Sequence, residues 1–290
     1  MCHAGIPLEH AGADDESPNV SESSPSIAVR DLLWAINSPS LIEGESAVGR
    51  LEVEKIDLGL LQVFLGAHRS FKVGHYFESL VHFWLEKVRR VEMVAHRRQI
   101  KNSDRTLGEL DFVFRDEQER LNHWETAVKF YLFDPDNEVN GSRFIGPNTA
   151  DTLERKLDRL LQHQLPLSAC EFPEVEIRRA FVKGWLYRNP FHTVDGDLPN
   201  GVSPDHLAGV WIRHAQADWL DRFDNGTEFQ ILEKPHWLAA SPAPVMDVNN
   251  LLGRLDAHFE SQKQSIHVGI SVDGVELERL FVVPDRWPDL

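Results

Sequence analysis

Apolar residues along this chain recur with two periods, and the switches between them predict its elements. Helical spacing comes first in "SIAVRDLLWAINSPSLI", a short amphipathic helix stopped by "NSPS". It returns in "FKVGHYFESLVHFWLEKVRRVEMVAHRRQI". Here Tyr76, Phe77, Leu80, Val81, Phe83, Trp84, Val88 and Val91 share a wide face, predicting a long helix over about residues 74–95. The period then drops to two. "GELDFVFRDEQERLNHWETAVKFYL", residues 108–132, reads as two strands joined by the turn-like "RDEQER". Helical spacing resumes in "PNTADTLERKLDRLLQHQL", with Leu153, Leu157, Leu160 and Leu161 on one side. "RRAFVKGWLY" and "GVELERLFVVPD" read as further strands, and "HLAGVWIRHAQADWLDRF" and "DVNNLLGRLDAHFESQ" between them have helical periodicity. Helix, paired strands, helix and strand predict an α/β core continued by a mixed α+β C-terminal region.

Alternation divides the paired strands into two faces. Leu110, Phe112, Phe114, Trp124, Val128, Phe130 and Leu132 form a core face. Glu109, Asp111, Val113, Arg115, His123, Glu125, Ala127, Lys129 and Tyr131 form the other. If residues 116–120 are the loop, antiparallel partners have numbers summing to 236, and Asp111 stands opposite Glu125. The β-carbons of such a pair lie about 4.5–5.5 Å apart. Facing carboxylates repel unless a cation, a proton or a shared donor lies between them. A wet outer face would leave these charges without consequence. However, central strands as apolar as these usually have both faces covered. Packing of the preceding long helix on the polar face would add Glu78 to the pair. A hard divalent ion, Mg²⁺ or Mn²⁺, suits such oxygen ligands.

Composition places the chain among soluble globular proteins, with 42% hydrophobic and 26% charged residues in a length of 290. Residues 1–26, rich in Ser, Pro, Asp and Glu, read as a disordered leader, and 27–290 as a single α/β domain. No apolar run approaches the roughly 18 residues of a membrane helix. The N-terminus lacks the basic head and apolar stretch of a secretory signal. The two cysteines, Cys2 and Cys170, argue against a disulfide framework or a cysteine zinc cluster. A cytoplasmic protein without membrane partners is expected.

The net charge of −16 is unpromising for a nucleic-acid binder. The charge is unevenly spread, however. Residues 1–60 carry 11 Asp+Glu against 3 Lys+Arg, and residues 195–290 carry 16 against 7. The middle, 61–194, has 19 against 20 and is nearly neutral. Any contact with a polyanion therefore falls to the part that holds the hairpin.

An aspartate, a glutamate on the adjacent strand and a nearby lysine, preceded by a Glu-bearing helix, resemble the PD-(D/E)XK nuclease superfamily. More closely, "GHYFESLVHFWL", "GELDFVF", "HWETAVKFYL" and "RKLDRLLQHQL" resemble the bacterial domain of unknown function 1853 family. The resemblance runs from about residue 30 to the C-terminus, with its informative motifs in 74–165. It implies a restriction-endonuclease-like core at about 68–190, with a mixed central sheet flanked by helices, and an α+β extension over 191–290. It also implies a Mg²⁺- or Mn²⁺-dependent phosphodiesterase acting on DNA or RNA. Asp111 and Glu125 match the metal-holding acids, Glu78 the acid of the first helix, and Lys129 the lysine that positions or activates water. The chain departs from the pattern at one place. The lysine usually stands two residues after the glutamate, but Ala127 is there and Lys129 follows two later. The face is kept, while the reach moves by roughly 6–7 Å. A non-catalytic relative that binds nucleic acid or a protein partner is the rival expectation.

Further candidates lie around this site. Lys156, Arg159 and His163 share the face of their helix opposite the leucines, a wet face or a phosphate contact. Gln164 resembles a glutamine that some of these nucleases carry on the helix after the catalytic strands. His75, Glu78 and His82 fall on one helix face, but fourteen histidines make such coincidence easy. The basic runs "EKVRRVEMVAHRRQIK" and "EIRRAFVKGW" are either wet faces or a backbone track. Neither a P-loop, a dinucleotide-binding glycine turn nor a nucleophile elbow is present.

Overall fold

The computed structural model describes residues 26–49, 51, 53, 55–103, 105–149, 151–193, 196–240 and 244–289. The expected leader, apart from Ser26, and Cys2 lie outside the described residues. Three helices come first: α1 (Ile27–Asn37), α2 (Leu58–Ala67) and α3 (Val73–Phe83). Ser26 and Asp57 cap the first two through the backbone N–H groups of Val29 and Leu60. The strands β1 (Glu92–Lys101), β2 (Thr106–Arg115), β3 (Leu121–Phe133) and β4 (Phe144–Ile145) follow. Next come α4 (Leu153–Arg159), a π-helical turn over Leu160–Gln164 and α5 (Leu165–Leu167). The remaining strands are β5 (Ile177–Arg188), β6 (Leu207–Arg213), β7 (Thr227–Ile231), β8 (Ile266–Val272) and β9 (Val275–Val283). Helix α6 (Val248–Phe259) precedes β8.

The nine strands of the described residues join one mixed sheet in the order β1-β2-β3-β5-β6-β9-β8-β7, with β4 on β3. The centre, β3-β5-β6-β9, is parallel, and antiparallel strands close both ends. A parallel centre needs cover on both faces. On one face, Phe77, Leu80, Val81 and Trp84 pack with Phe112, Trp124, Val128 and Phe181. On the other, Leu153, Leu157, Leu160 and Leu165 pack with Tyr131, Ala180, Val182 and Leu186. A third cluster, under α6, joins Leu251 and Leu255 to Val268, Ile270 and Leu280. The molecule is thus an α/β protein with a large mixed sheet flanked by helices.

Several expectations need correction. The long helix does not reach residue 95. It passes into a π-helical turn at Trp84–Arg89 and stops at Arg90, whose φ of 59° is left-handed. Residues 92–101 form strand β1 instead, because β2 needs an antiparallel partner on its outer edge. In "HLAGVWIRHAQADWLDRF" the first half is strand β6, held between β5 and β9, and only the second half winds into a 3₁₀ helix (His214–Arg222). Leu110 leaves the expected core face and packs with Ile100, Val113 and Leu121. Helix α3 covers the Phe112 face of the sheet, not the carboxylate face.

One buried carboxylate ties the N-terminal helices to the C-terminal half. Asp31, fully buried, accepts from Tyr76 Oη at 3.0 Å and from Ala239 N at 3.0 Å, and lies 2.8 Å from His236 Nδ1. Asp31→Ala would strip an acceptor from three groups at once. We expect a loss of roughly 3 kcal/mol, because buried donors left without partners carry their full desolvation cost. Chemical denaturation of both proteins measures it; a change below about 1 kcal/mol would mean that water substitutes freely for the carboxylate.

Candidate active site at a fork in the sheet

The hairpin register is the expected one where β2 and β3 pair. Phe112 faces Trp124, Val113 faces His123, Phe114 faces Asn122 and Arg115 faces Leu121, each pair summing to 236. The ladder then ends. β3 continues to Phe133 along β5, while β2 continues with β1, so the two strands part just beyond Phe112 and Trp124. Asp111 and Glu125 stand at the crotch of this fork. Side-chain bonds replace the missing ladder there. Asp111 Oδ2 accepts from Thr126 N at 2.7 Å and from Thr126 Oγ1 at 3.0 Å, and Asp111 N donates to Glu125 Oε1 at 3.4 Å.

A cavity of about 260 Å³ fills the fork, and Glu78, Glu109, Asp111, Lys129, Lys156 and Gln164 all line it. Glu78 thus reaches the same cavity as Asp111 although its helix packs on the opposite face, because the parted strands leave a way between. Glu125 lies beneath, with no solvent exposure. Gln164 Nε2 donates to Glu125 Oε2 at 2.6 Å, and His123 Nε2 lies 2.8 Å from Oε1. Lys156 looks into the cavity from α4, whereas Arg159 is exposed and does not line it.

Protonation follows from this environment. Burial first, and the charge of Glu125 second, push the Asp111 carboxyl up, to about 8. Burial also raises Glu125, against the hydrogen bonds it receives. His123 is pushed down, chiefly by burial, and stays neutral near pH 7. Its Nδ1 lies 3.2 Å from the Leu165 carbonyl, which can only accept, so Nδ1 carries the ring proton. Nε2 then presents its lone pair to Glu125 Oε1. Both Asp111 and Glu125 thus hold protons more tightly than exposed carboxyls, and a cation would compete with those protons.

Glu78 differs. Burial alone would raise it, but hydrogen bonds from His96 and Arg97 and the guanidinium charge outweigh burial and hold it at about 2. Arg97 grips both its oxygens, at 2.7 and 2.8 Å, and His96 Nε2 lies 3.1 Å from Oε1. Burial and then Lys156 lower the Lys129 ammonium, which lines the cavity wall. Arg97, His96, His123 and Thr126 are not among the site residues expected from the sequence. Arg97 is hidden there in a charge run, and its φ of 51° on strand β1 has no glycine to announce it. The basic runs are largely engaged internally. Arg89 pairs with Glu117, Arg98 with Glu171, and Arg179 bonds the Glu45 and Ala47 carbonyls. His75 is exposed, and His82 faces Glu86 at 3.1 Å rather than joining Glu78.

The donor set at the fork is hard oxygen. Both described hydrogen bonds to Asp111 fall on Oδ2, and Oδ1 accepts none among the described residues. Such oxygens suit a Mg²⁺-type ion with retained waters, but Glu125 would join Asp111 around it only by releasing His123 or Gln164 from one of its oxygens, and Glu78 already has its cation in Arg97. Asp134, Asp136 and His192 bring ligand atoms within 4.8 Å of one another, closer than the three fork carboxylates. There, however, Arg213 already neutralises Asp134 at 3.1 Å. No helix among the described residues is long and apolar enough to cross a membrane.

No curated protein and no solved structure shows significant similarity to the chain. The family model for the domain of unknown function DUF1853 matches residues 30–283 and so takes in the sheet, the fork and its carboxylates. The chain belongs to that family.

Proposed function

We propose that the fork is a Mg²⁺-dependent phosphodiesterase site acting on nucleic acid, in a core of the restriction-endonuclease-like, PD-(D/E)XK kind. One observation carries the reading. Asp111, half-buried, lines a cavity where the sheet opens, the fully buried Glu125 lies against it and accepts from its backbone N–H, and each carboxyl has a raised proton affinity. Such a pair is poised to exchange protons for a divalent cation. Mg²⁺ held by Asp111 and Glu125 would neutralise charge on a phosphate and lower the pKa of a bound water. The protein's own groups orient these acids. Thr126 fixes Asp111 through two hydrogen bonds, and Gln164 and His123 fix the two oxygens of Glu125. Lys156 and Lys129, on the cavity wall, are the cations available to the phosphate oxygens.

The second reading, a non-catalytic nucleic-acid or protein binder, is favoured by Arg97. Its bidentate grip on Glu78 makes an internal ion pair from what would be a third acidic ligand. Cleavage assays on single- and double-stranded DNA and RNA with Mn²⁺ or Mg²⁺ separate the two. The enzyme reading expects metal-dependent cleavage that falls at least about 100-fold in Glu125→Gln. Equal cleavage by parent and variant would identify a contaminant. No cleavage of any polymer with either metal would leave the binder.

A further inference from the structure

We infer that a second cavity, opening beside the fork, is a subsite for single-stranded nucleic acid. It measures about 330 Å³ and shares Val128 and Lys129 with the carboxylate cavity as a common wall. A chain held at one is therefore delivered to the other along β3. The inference rests on the proposal that the fork holds a phosphodiester, and it names the form of the polymer.

Three ammonium groups border the second cavity: Lys72, Lys129 and Lys234. None has a salt bridge among the described residues, in a protein whose net charge is −16. Cations without a salt bridge among the described residues, in an acidic protein, are where a polyanion is attracted. Lys234 Nζ stands 4.6 Å over the Trp237 ring, which gives it an apolar backing. Asp151 is the one acid on the wall among the described residues, and Tyr131 Oη donates to it at 3.1 Å.

Phe71 supplies the second half of the argument. It stands at the mouth beside Lys72 and is 86% exposed, the most exposed large apolar residue among those described. An aromatic ring held in water next to these lysines is the pairing that receives an unstacked base and its phosphate. A duplex offers no free base face to such a ring. The volume also suits one small ligand group rather than a double helix. Charge complementarity and the free aromatic face thus favour a single strand.

Anisotropy of a labelled single-stranded oligonucleotide and of the matching duplex, in EDTA across a salt series, tests this without cleavage. The parent protein should bind the single strand at least about 10-fold more tightly than the duplex. Phe71→Ala should weaken single-strand binding by about 5- to 100-fold at every salt concentration, the range seen for one base–aromatic stack. Lys72→Gln with Lys234→Gln should flatten the salt dependence, by up to about 0.7 in log–log slope for each phosphate deprived of its lysine. Phe71, Lys72 and Lys234 are exposed, so folding should survive, and circular dichroism checks it. Equal affinity for the duplex, or an unchanged affinity in Phe71→Ala, overturns the subsite. Phe71-dependent single-strand binding without any metal-dependent cleavage would keep the subsite and remove the phosphodiesterase. Cleavage that ignores Phe71 would do the reverse.

Discussion

In metal-free buffer, Asp111→Asn is expected to match the parent protein in stability near pH 4–5 and to exceed it clearly by pH 8. The sign follows from proton binding. An exposed aspartate in the unfolded chain titrates near 4, whereas burial and Glu125 raise Asp111 in the folded protein to about 8. Between these values the folded state holds a proton that the unfolded state has released. Folding stability of the parent therefore falls as pH rises through that window, at up to about 1.4 kcal/mol per pH unit. Asparagine does not titrate and can still accept from Thr126, so the variant lacks this loss. The gap should approach a plateau above pH 8, on the order of 2 kcal/mol or more. Glu78, held down at about 2, acts in the opposite direction only in acid, losing its contribution as pH falls below about 4. It leaves the neutral range untouched.

Adding millimolar Mg²⁺ or Mn²⁺ should reverse the order. A ligand that binds only the folded state stabilises it by about 2.7 kcal/mol at 100 times its dissociation constant. The parent should gain stability with metal, most strongly at high pH where protons compete least, and Asp111→Asn should gain little. Any cleavage activity should fall at least about 100-fold in the same variant. Thermal melts over a pH and metal grid decide among three states of the fork. No metal-dependent shift in either protein, with the pH effect present, would make Asp111 and Glu125 a structural pair sharing a proton. Neither effect would mean a solvated, inert face, against the full burial of Glu125.

Why Asp111 and Glu125 are legible in the sequence, and much around them is not, has a physical basis. Period-two alternation plus a loop of defined length sets the register of a hairpin, so the sum of 236 recovers all four β2–β3 pairs. Alternation says nothing of where a ladder stops, and so the fork is invisible to it. Strand β1 is hidden because Val88 and Val91 prolong the helical pattern, while the strand itself is an edge with few buried residues. The helix stop at Arg90 adopts a left-handed conformation without the glycine that usually marks it. "LAGVWIR" is too short an apolar run for periodicity to tell strand from helix. Alternation puts Lys129 on the right face, and Ala127 makes its displacement along β3 plain. Only the fold reveals that this displacement moves it to the wall between two cavities.

The same stretch of β3 yields the largest expected loss of stability, in Gly184→Ala. Gly184 pairs with Lys129 across the parallel β3–β5 ladder. A β-carbon at position 184 would lie 2.1 Å from the Lys129 carbonyl oxygen and 2.9 Å from its carbon. Both contacts are with backbone, so no side chain can swing aside. Nor can the strands part easily. Phe181 and Trp185 of β5 are packed into one core, and Val182 and Leu186 into the other. Relief would require disrupting both layers at the centre of the sheet. We expect a cost above about 4 kcal/mol, or a protein that fails to accumulate in soluble form. Gly253→Ala is the matched control, since the added methyl on α6 meets nothing within 4 Å and that glycine lies in mid-helix. It should stabilise by about 0.5–1 kcal/mol through helix propensity. A Gly184→Ala protein that melts with the parent would show that β3 and β5 do not approach so closely at Lys129. The common wall between the two cavities would then have to be redrawn.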